Sequence, residues 1–175
     1  MSQSAPIPNP AAASGIAASS IPSAMLTIVV LHDCANASMI GQGRVLMSPL
    51  GLAMVAAAVD SGQPMKPELL PEVKPGGAAG DPLPSGLVSD LRTMMRAVVT
   101  EGTGSSVDLA GLPVSAKTGT AEYGPSGATR THAWMIGFRG DLAFAVFVEN
   151  GESGSHDAAP VVARFLNGLP PSAYH

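Results

Sequence analysis

The pair Gly140-Asp141, set between two apolar runs at residues 131–139 and 142–149, constrains this chain more than any other feature of its sequence. A two-residue connection with glycine first suits a tight hairpin turn, because glycine adopts the positive φ that such turns demand. In the second run Leu142, Phe144, Val146 and Val148 fall on one face of a strand, while Ala143 and Ala145 leave the other face small. A third strand is expected just upstream, over residues 112–120. Three successive strands joined by short connections make an antiparallel meander.

Helical patterns flank these strands. Ser48 places a capping hydroxyl ahead of Pro49, residues 50–59 contain no proline, and Gly62 closes the segment, so a helix is predicted here. Leu50, Leu52, Met54, Val55 and Val59 cover nearly its whole circumference, which predicts burial on several sides. A second helix is predicted over residues 87–101, where Leu87, Leu91, Met94, Met95 and Val98 form an apolar stripe before Gly102, with Met94-Met95 filling core. A closing helix over 157–166 takes Asp157 as its cap and tolerates Pro160 in its first turn. Between the first two helices, residues 63–84 read as a long surface connection broken by Pro and Gly, with one short extended piece near Glu68-Leu69-Leu70. Residues 1–23 are Ala, Ser and Pro with almost no charge and read as a loose arm, while residues 24–31 form one candidate strand. The fold class is therefore α+β, an antiparallel sheet packed with helices.

Composition narrows function. Only 13% of the 175 residues are charged, the net charge is −4, and the nine Lys and Arg never cluster, so neither nucleic acid nor an anionic membrane surface is an expected partner. The lone Cys34 excludes an internal disulfide and a multi-cysteine zinc site. His32-Asp33-Cys34 places three ligand types in a row, but adjacent residues on an extended chain point apart, and no metal or other cofactor is expected. Ser153, His156 and Asp157 offer the members of a triad, yet triads are made by geometry, and helix capping accounts for these residues. The early sequence carries no secretory signal, and its longest apolar run of eight residues is far short of a membrane span.

Chemistry concentrates at Lys117-Thr118-Gly119-Thr120. On an extended strand Lys117 and Gly119 point one way and Thr118 and Thr120 the other. A glycine between hydroxyl residues lets an extended ligand lie close to the strand, and the lysine supplies a point charge for a carboxylate. Three common residues alone are weak testimony, but they have company. The stretch from Val114 to Glu122, His132-Ala133-Trp134-Met135-Ile136-Gly137-Phe138, the run from Phe144 to Asn150, and Ala158-Ala159-Pro160-Val161 follow in order. Upstream stand Gly41-Gln42-Gly43, Ser48-Pro49-Leu50, Met94-Met95-Arg96-Ala97-Val98-Val99 and Glu101-Gly102-Thr103. Over about residues 40–168 this series resembles the end of the transpeptidase domain of class B penicillin-binding proteins. Residues 1–38 share none of the motifs, so residues 39–175 are assigned as the C-terminal part of such a domain, with 1–38 unassigned.

The resemblance implies an incomplete penicillin-binding, serine β-lactamase-like fold. It implies an extracytoplasmic D,D-transpeptidase, membrane-anchored in its full-length form, that acts on peptidoglycan stem peptides and is acylated by β-lactams. Other cell-wall synthesis proteins are implied partners of the full-length parent. The family site combines S-x-x-K, S-x-N and K-T-G. Here the residues three before Lys66, Lys74 and Lys117 are Gln63, Pro71 and Val114, and no serine stands two before an asparagine. The nucleophile, its activating lysine and the second-motif serine are thus expected outside this chain, as are the first strands of the family sheet. By the same resemblance Lys117 holds the carboxylate and assists proton transfer, Thr118 and Thr120 hydrogen-bond the carboxylate, and Gly119 gives clearance. The Thr120 N–H supplies one oxyanion-hole donor. Trp134, on the next strand, either packs behind the site or, as a lone buried Trp more often does, belongs to the core.

Overall fold

A computed structural model of the chain describes residues 45–68, 72, 79–111, 113–125 and 128–173. The candidate strand at 24–31, the His32-Asp33-Cys34 run and the extended piece at Leu69-Leu70 lie outside these residues. Within them the order is α1 (Pro49–Ser61), α2 (Ser85–Thr100), a 3-10 turn (Ser105–Val107), β1 (Ser115–Tyr123), β2 (Arg130–Arg139) and β3 (Leu142–Val148). A π-turn (Gly154–Ala158), α3 (Ala159–Gly168) and a last 3-10 turn (Pro171–Ala173) complete it.

The strands form one antiparallel sheet in the order β1-β2-β3. Gly140 sits at φ 57°, as the glycine-first hairpin requires, and brings Arg139 opposite Leu142. From that turn the register places Phe144 opposite Gly137, Val146 opposite Met135 and Val148 opposite Ala133. The same β2 residues face Ala116, Thr118 and Thr120 of β1. Opposed residues share a face, so this face carries Ala116, Met135 and Phe144 into the main core, where α3 adds Val162 and Leu166. On the other face Phe138 packs with Val59 of α1 and Met95 of α2. Helix α2 joins both clusters, since Val99 lies in the first.

The helices depart from expectation in instructive ways. α1 keeps its Ser48 cap, whose hydroxyl accepts from the Gly51 amide at 3.0 Å, and its left-handed Gly62 stop. It is not buried on several sides: Ala56 and Val59 are its buried residues, while Leu50 and Val55 are 46% and 40% exposed. A helix apolar all round offers no stripe that selects one face, and the described neighbours cover one side of it. In α2 the buried stripe is Val88, Met95 and Val99. Met94 therefore does not fill the core; it is 56% exposed, because neighbours along a helix diverge by about 100° and only Met95 faces Phe138. The strand expected at 112–120 begins later and runs farther, to Tyr123.

The closing helix is also displaced. It begins at Ala159, after the π-turn, and the hydroxyl that caps the turn belongs to Ser153, which accepts from the His156 amide. Asp157 instead reaches back, its Oδ2 accepting from the Glu152 and Ser153 amides. Capping thus explains Ser153 and Asp157, with the roles redistributed.

Leu166 is 1% exposed at the centre of the main core, and Leu50 is nearly half exposed. Leu166→Ala should cost about 2–5 kcal/mol in chemical denaturation, and Leu50→Ala less than about 1 kcal/mol. Equal losses would contradict this placement of the core.

Candidate functional site

The K-T-G strand is β1, at one edge of the sheet among the described residues. Three side chains tie the segment leading into it to the rest of the fold. Arg96 of α2 donates from Nη1 to the Val114 carbonyl at 2.7 Å and from Nη2 to Asp108 Oδ1 at 2.8 Å. Arg139 of β2, only 4% exposed, donates from Nη2 to the Ala110 carbonyl at 2.8 Å. Thr103, in the turn after α2, meets Thr118 hydroxyl to hydroxyl at 2.7 Å. A buried guanidinium must be hydrogen-bonded to be tolerated, so these contacts constrain the segment from both sides.

Along β1 the expected alternation holds. Thr118 and Thr120 lie on the face of Met135 and Ala133, and Lys117 and Gly119 lie on the face of Ile136 and Trp134. The two threonines are not equivalent: Thr118 is buried at 9% exposure with its hydroxyl on Thr103, whereas Thr120 is exposed. Lys117 is exposed, and its Nζ donates to the Thr118 carbonyl at 2.5 Å, which holds the ammonium beside its own strand. A cation, an exposed hydroxyl and a glycine on one strand edge form a surface suited to an extended ligand ending in a carboxylate.

Gly119 stands opposite Trp134, and a Cβ there would come within 3.4 Å of the Trp134 Cβ. Trp134 is half-buried and belongs to neither core cluster, in contrast to the core alternative; its ring lies 4.4 Å from that of Phe147, directly opposite on β3. Tyr123 stacks on His132 at 3.8 Å, and His132 meets Phe147 edge-on at 4.9 Å, so aromatic rings continue along the Gly119 face. The Tyr123 hydroxyl donates to Asn150 Oδ1 at 2.7 Å, and His132 Nδ1 contacts the Glu149 carbonyl at 2.6 Å.

On the opposite side of the strand pair the π-turn lies flat against the backbone. A Cβ on Gly154 would come within 2.3 Å of the Trp134 carbonyl oxygen, 2.8 Å of the Gly119 nitrogen and 2.9 Å of its oxygen. The turn can sit there only because residue 154 has no side chain. In the sequence Gly154 stands between Ser153 and Ser155, with no local signal that a glycine is required there. Thr103 stands in Glu101-Gly102-Thr103, where the sequence assigns it no role.

The hydrogen bond from the Ser153 amide, with those from His156 and the Glu152 amide, holds the Asp157 carboxyl below the usual carboxylate range against partial desolvation. His156 Nδ1 lies 3.1 Å from Asp157 Oδ1 and 3.9 Å from Glu152 Oε2. Among the described residues no group of three His, Cys, Asp or Glu side chains could hold a metal ion.

Comparison with known proteins places these features in a series. The penicillin binding protein transpeptidase domain model matches residues 3–167. The peptidoglycan D,D-transpeptidase PbpA of Mycolicibacterium smegmatis is 32% identical over 148 residues, 71% of this chain and 29% of the relative. The chain therefore spans well under half the length of that relative. The crystal structure of PBPA from Mycobacterium tuberculosis is 28% identical with a TM-score of 0.63, covering 77% of this chain and 37% of that one. The imipenem acyl-enzyme complex of penicillin-binding protein A from M. tuberculosis aligns with a TM-score of 0.62 at 27% identity, covering 78% of this chain and 34% of that chain. Helicobacter pylori PBP2, in its complex with MreC, aligns at 0.60 and 28% identity, covering 75% and 26%.

Two outcomes follow from the turn behind β1. Gly154→Ala should destabilise the protein by about 1–3 kcal/mol or more, because the neighbours a Cβ would strike are backbone atoms that cannot rotate away; thermal unfolding beside Gly168→Ala, where a Cβ meets nothing within 4 Å, checks it. The lowered Asp157 carboxyl contributes stability that is present above its unfolded pKa and lost as pH falls through its folded one. Acid titration followed by the amide shifts of Glu152 and Ser153 should show the turn loosening in step with Asp157, and Asp157→Asn should flatten that dependence.

Proposed function

Because the chain belongs to the penicillin-binding protein transpeptidase domain family, we propose that β1 forms the K-T-G wall of a peptidoglycan D,D-transpeptidase site. One observation carries the reading: Lys117, Gly119 and Thr120 lie in register along an edge strand, with the cation and the threonine exposed. Lys117 holds the terminal carboxylate of a stem peptide or β-lactam and assists proton transfer through a serine supplied by the rest of the domain. Thr120 hydrogen-bonds the same carboxylate, and its N–H is one oxyanion-hole donor; losing such a donor typically costs ~10²–10³ in rate. Gly119 gives the ligand clearance, and Thr118 hydrogen-bonds the same carboxylate. The acylation named for the M. tuberculosis relative and the MreC complex named for the H. pylori one support a β-lactam-reactive, extracytoplasmic cell-wall role for the full-length parent. No helix among the described residues is long and apolar enough to cross a membrane.

A second reading is that of a non-catalytic remnant. It is favoured by the absence of S-x-x-K and S-x-N from the 175 residues, since acylation needs an activated nucleophile. The two readings agree that the chain alone forms no covalent adduct and part once the missing motifs are supplied. Intact-mass spectrometry after long exposure of the chain to benzylpenicillin should show no adduct; a stoichiometric increase mapping to one serine would overturn both. Fused to an upstream half that carries S-x-x-K and S-x-N, the chain should restore labelling, and Lys117→Ala should cut acylation at least about tenfold. Lys74→Ala, in the Pro/Gly-rich connection, should change it by less than about twofold. No restored labelling would favour the remnant, and equal effects of the two substitutions would contradict the K-T-G assignment.

A further inference from the structure

Gly102-Thr103, the G-T pair that follows α2, has no part in the ligand contacts proposed above. Thr103 nevertheless makes the hydroxyl contact of 2.7 Å to Thr118, fifteen positions along the chain. The contact has an unusual setting. Thr118 is the buried residue of K-T-G, at 9% exposure, while Thr103 is exposed. Gly104, the next residue, is buried, and a Cβ there would meet Met135 Cε at 3.3 Å and the Val98 carbonyl at 3.2 Å, so the turn is seated closely on the core. The Gly104 amide also donates to the Val98 carbonyl at 2.9 Å, which fixes the turn to the end of α2. Thr103 is therefore held by an anchored turn and reaches the middle residue of K-T-G.

Two hydroxyls in contact spend one proton on each other and keep one. If Thr103 donates, the remaining proton is on Thr118; if Thr118 donates, it is on Thr103. In either arrangement the pair acts as a unit with a single donor to offer, and removing one hydroxyl takes away both the orientation and the partner of the other.

We propose that Thr103 is a positioning residue for carboxylate recognition at K-T-G, acting through its hydroxyl contact with Thr118. The proposal rests on the reading of β1 as a carboxylate-binding wall and adds a residue that the reading does not contain. It requires that the hydroxyl, and not the bulk, of residue 103 matter.

The test is a titration of the ¹⁵N-labelled 175-residue chain with benzylpenicillin, followed at the Gly119 and Thr120 amides, in the wild type and in Lys117→Ala, Thr103→Val, Thr103→Ser and Thr118→Val variants. The expected result is a wild-type response that Lys117→Ala removes, weakened about tenfold by Thr103→Val and kept within about twofold by Thr103→Ser. Thr103→Val combined with Thr118→Val should bind no more weakly than Thr118→Val alone, as two members of one unit must. If Thr103→Val perturbs folding, Thr103→Ala removes the hydroxyl without the branched bulk and is expected to show the same loss. Wild-type binding in both Thr103 variants, or additive losses in the double variant, would overturn the role of Thr103 and leave the reading of β1 standing. No Lys117-dependent response in the wild type would overturn both.

Discussion

The register of β1 on β2 is the constraint from which the rest of the site follows. With Gly119 opposite Trp134 and Thr118 opposite Met135, one face of β1 turns its middle threonine into the core and the other carries the lysine and the glycine. A slip of one residue would exchange the faces, sending Lys117 toward the core and Thr118 out. Val114 and Ala116, both fully buried in the main core, oppose that slip, because it would turn them out of the core. The strand therefore takes its order from core packing.

Backbone contacts reinforce the register from behind and from below. Gly154 lies against the Gly119 and Trp134 backbones, and Arg96 and Arg139 hold carbonyls in the segment that leads into the strand. These interactions are polar or steric, and none involves the exposed groups of Lys117 and Thr120. Such a division leaves Lys117 and Thr120 exposed while their strand is fixed through other groups.

Much of this could be read in the sequence because local rules govern it. The Gly140-Asp141 turn, the alternation of Leu142, Phe144, Val146 and Val148, and the Ser48 cap depend on neighbours within a few residues. The opposed faces of Lys117 and Thr118 follow from strand geometry alone. What escaped depends on distant packing. Both Met94 and Met95 fit an apolar stripe, and only the position of Phe138 decides which is buried. The exposure of Leu50 and Val55 reflects which surfaces meet α1, a fact no helical wheel contains. The partner of Thr118 and the need for glycine at 154 arise from long-range contacts. Motif spacing marked Thr103 as notable but could not say what it touches.

Complementation in trans tests most directly the claim that β1 is one wall of a shared transpeptidase site. The chain would be mixed, unfused, with a separately produced upstream half bearing S-x-x-K and S-x-N, and exposed to fluorescent penicillin. The account predicts a covalent label on the upstream half only when this chain is present, and its loss when the added chain carries Lys117→Ala. A label that forms equally well without this chain, or with its Lys117→Ala form, would contradict the account.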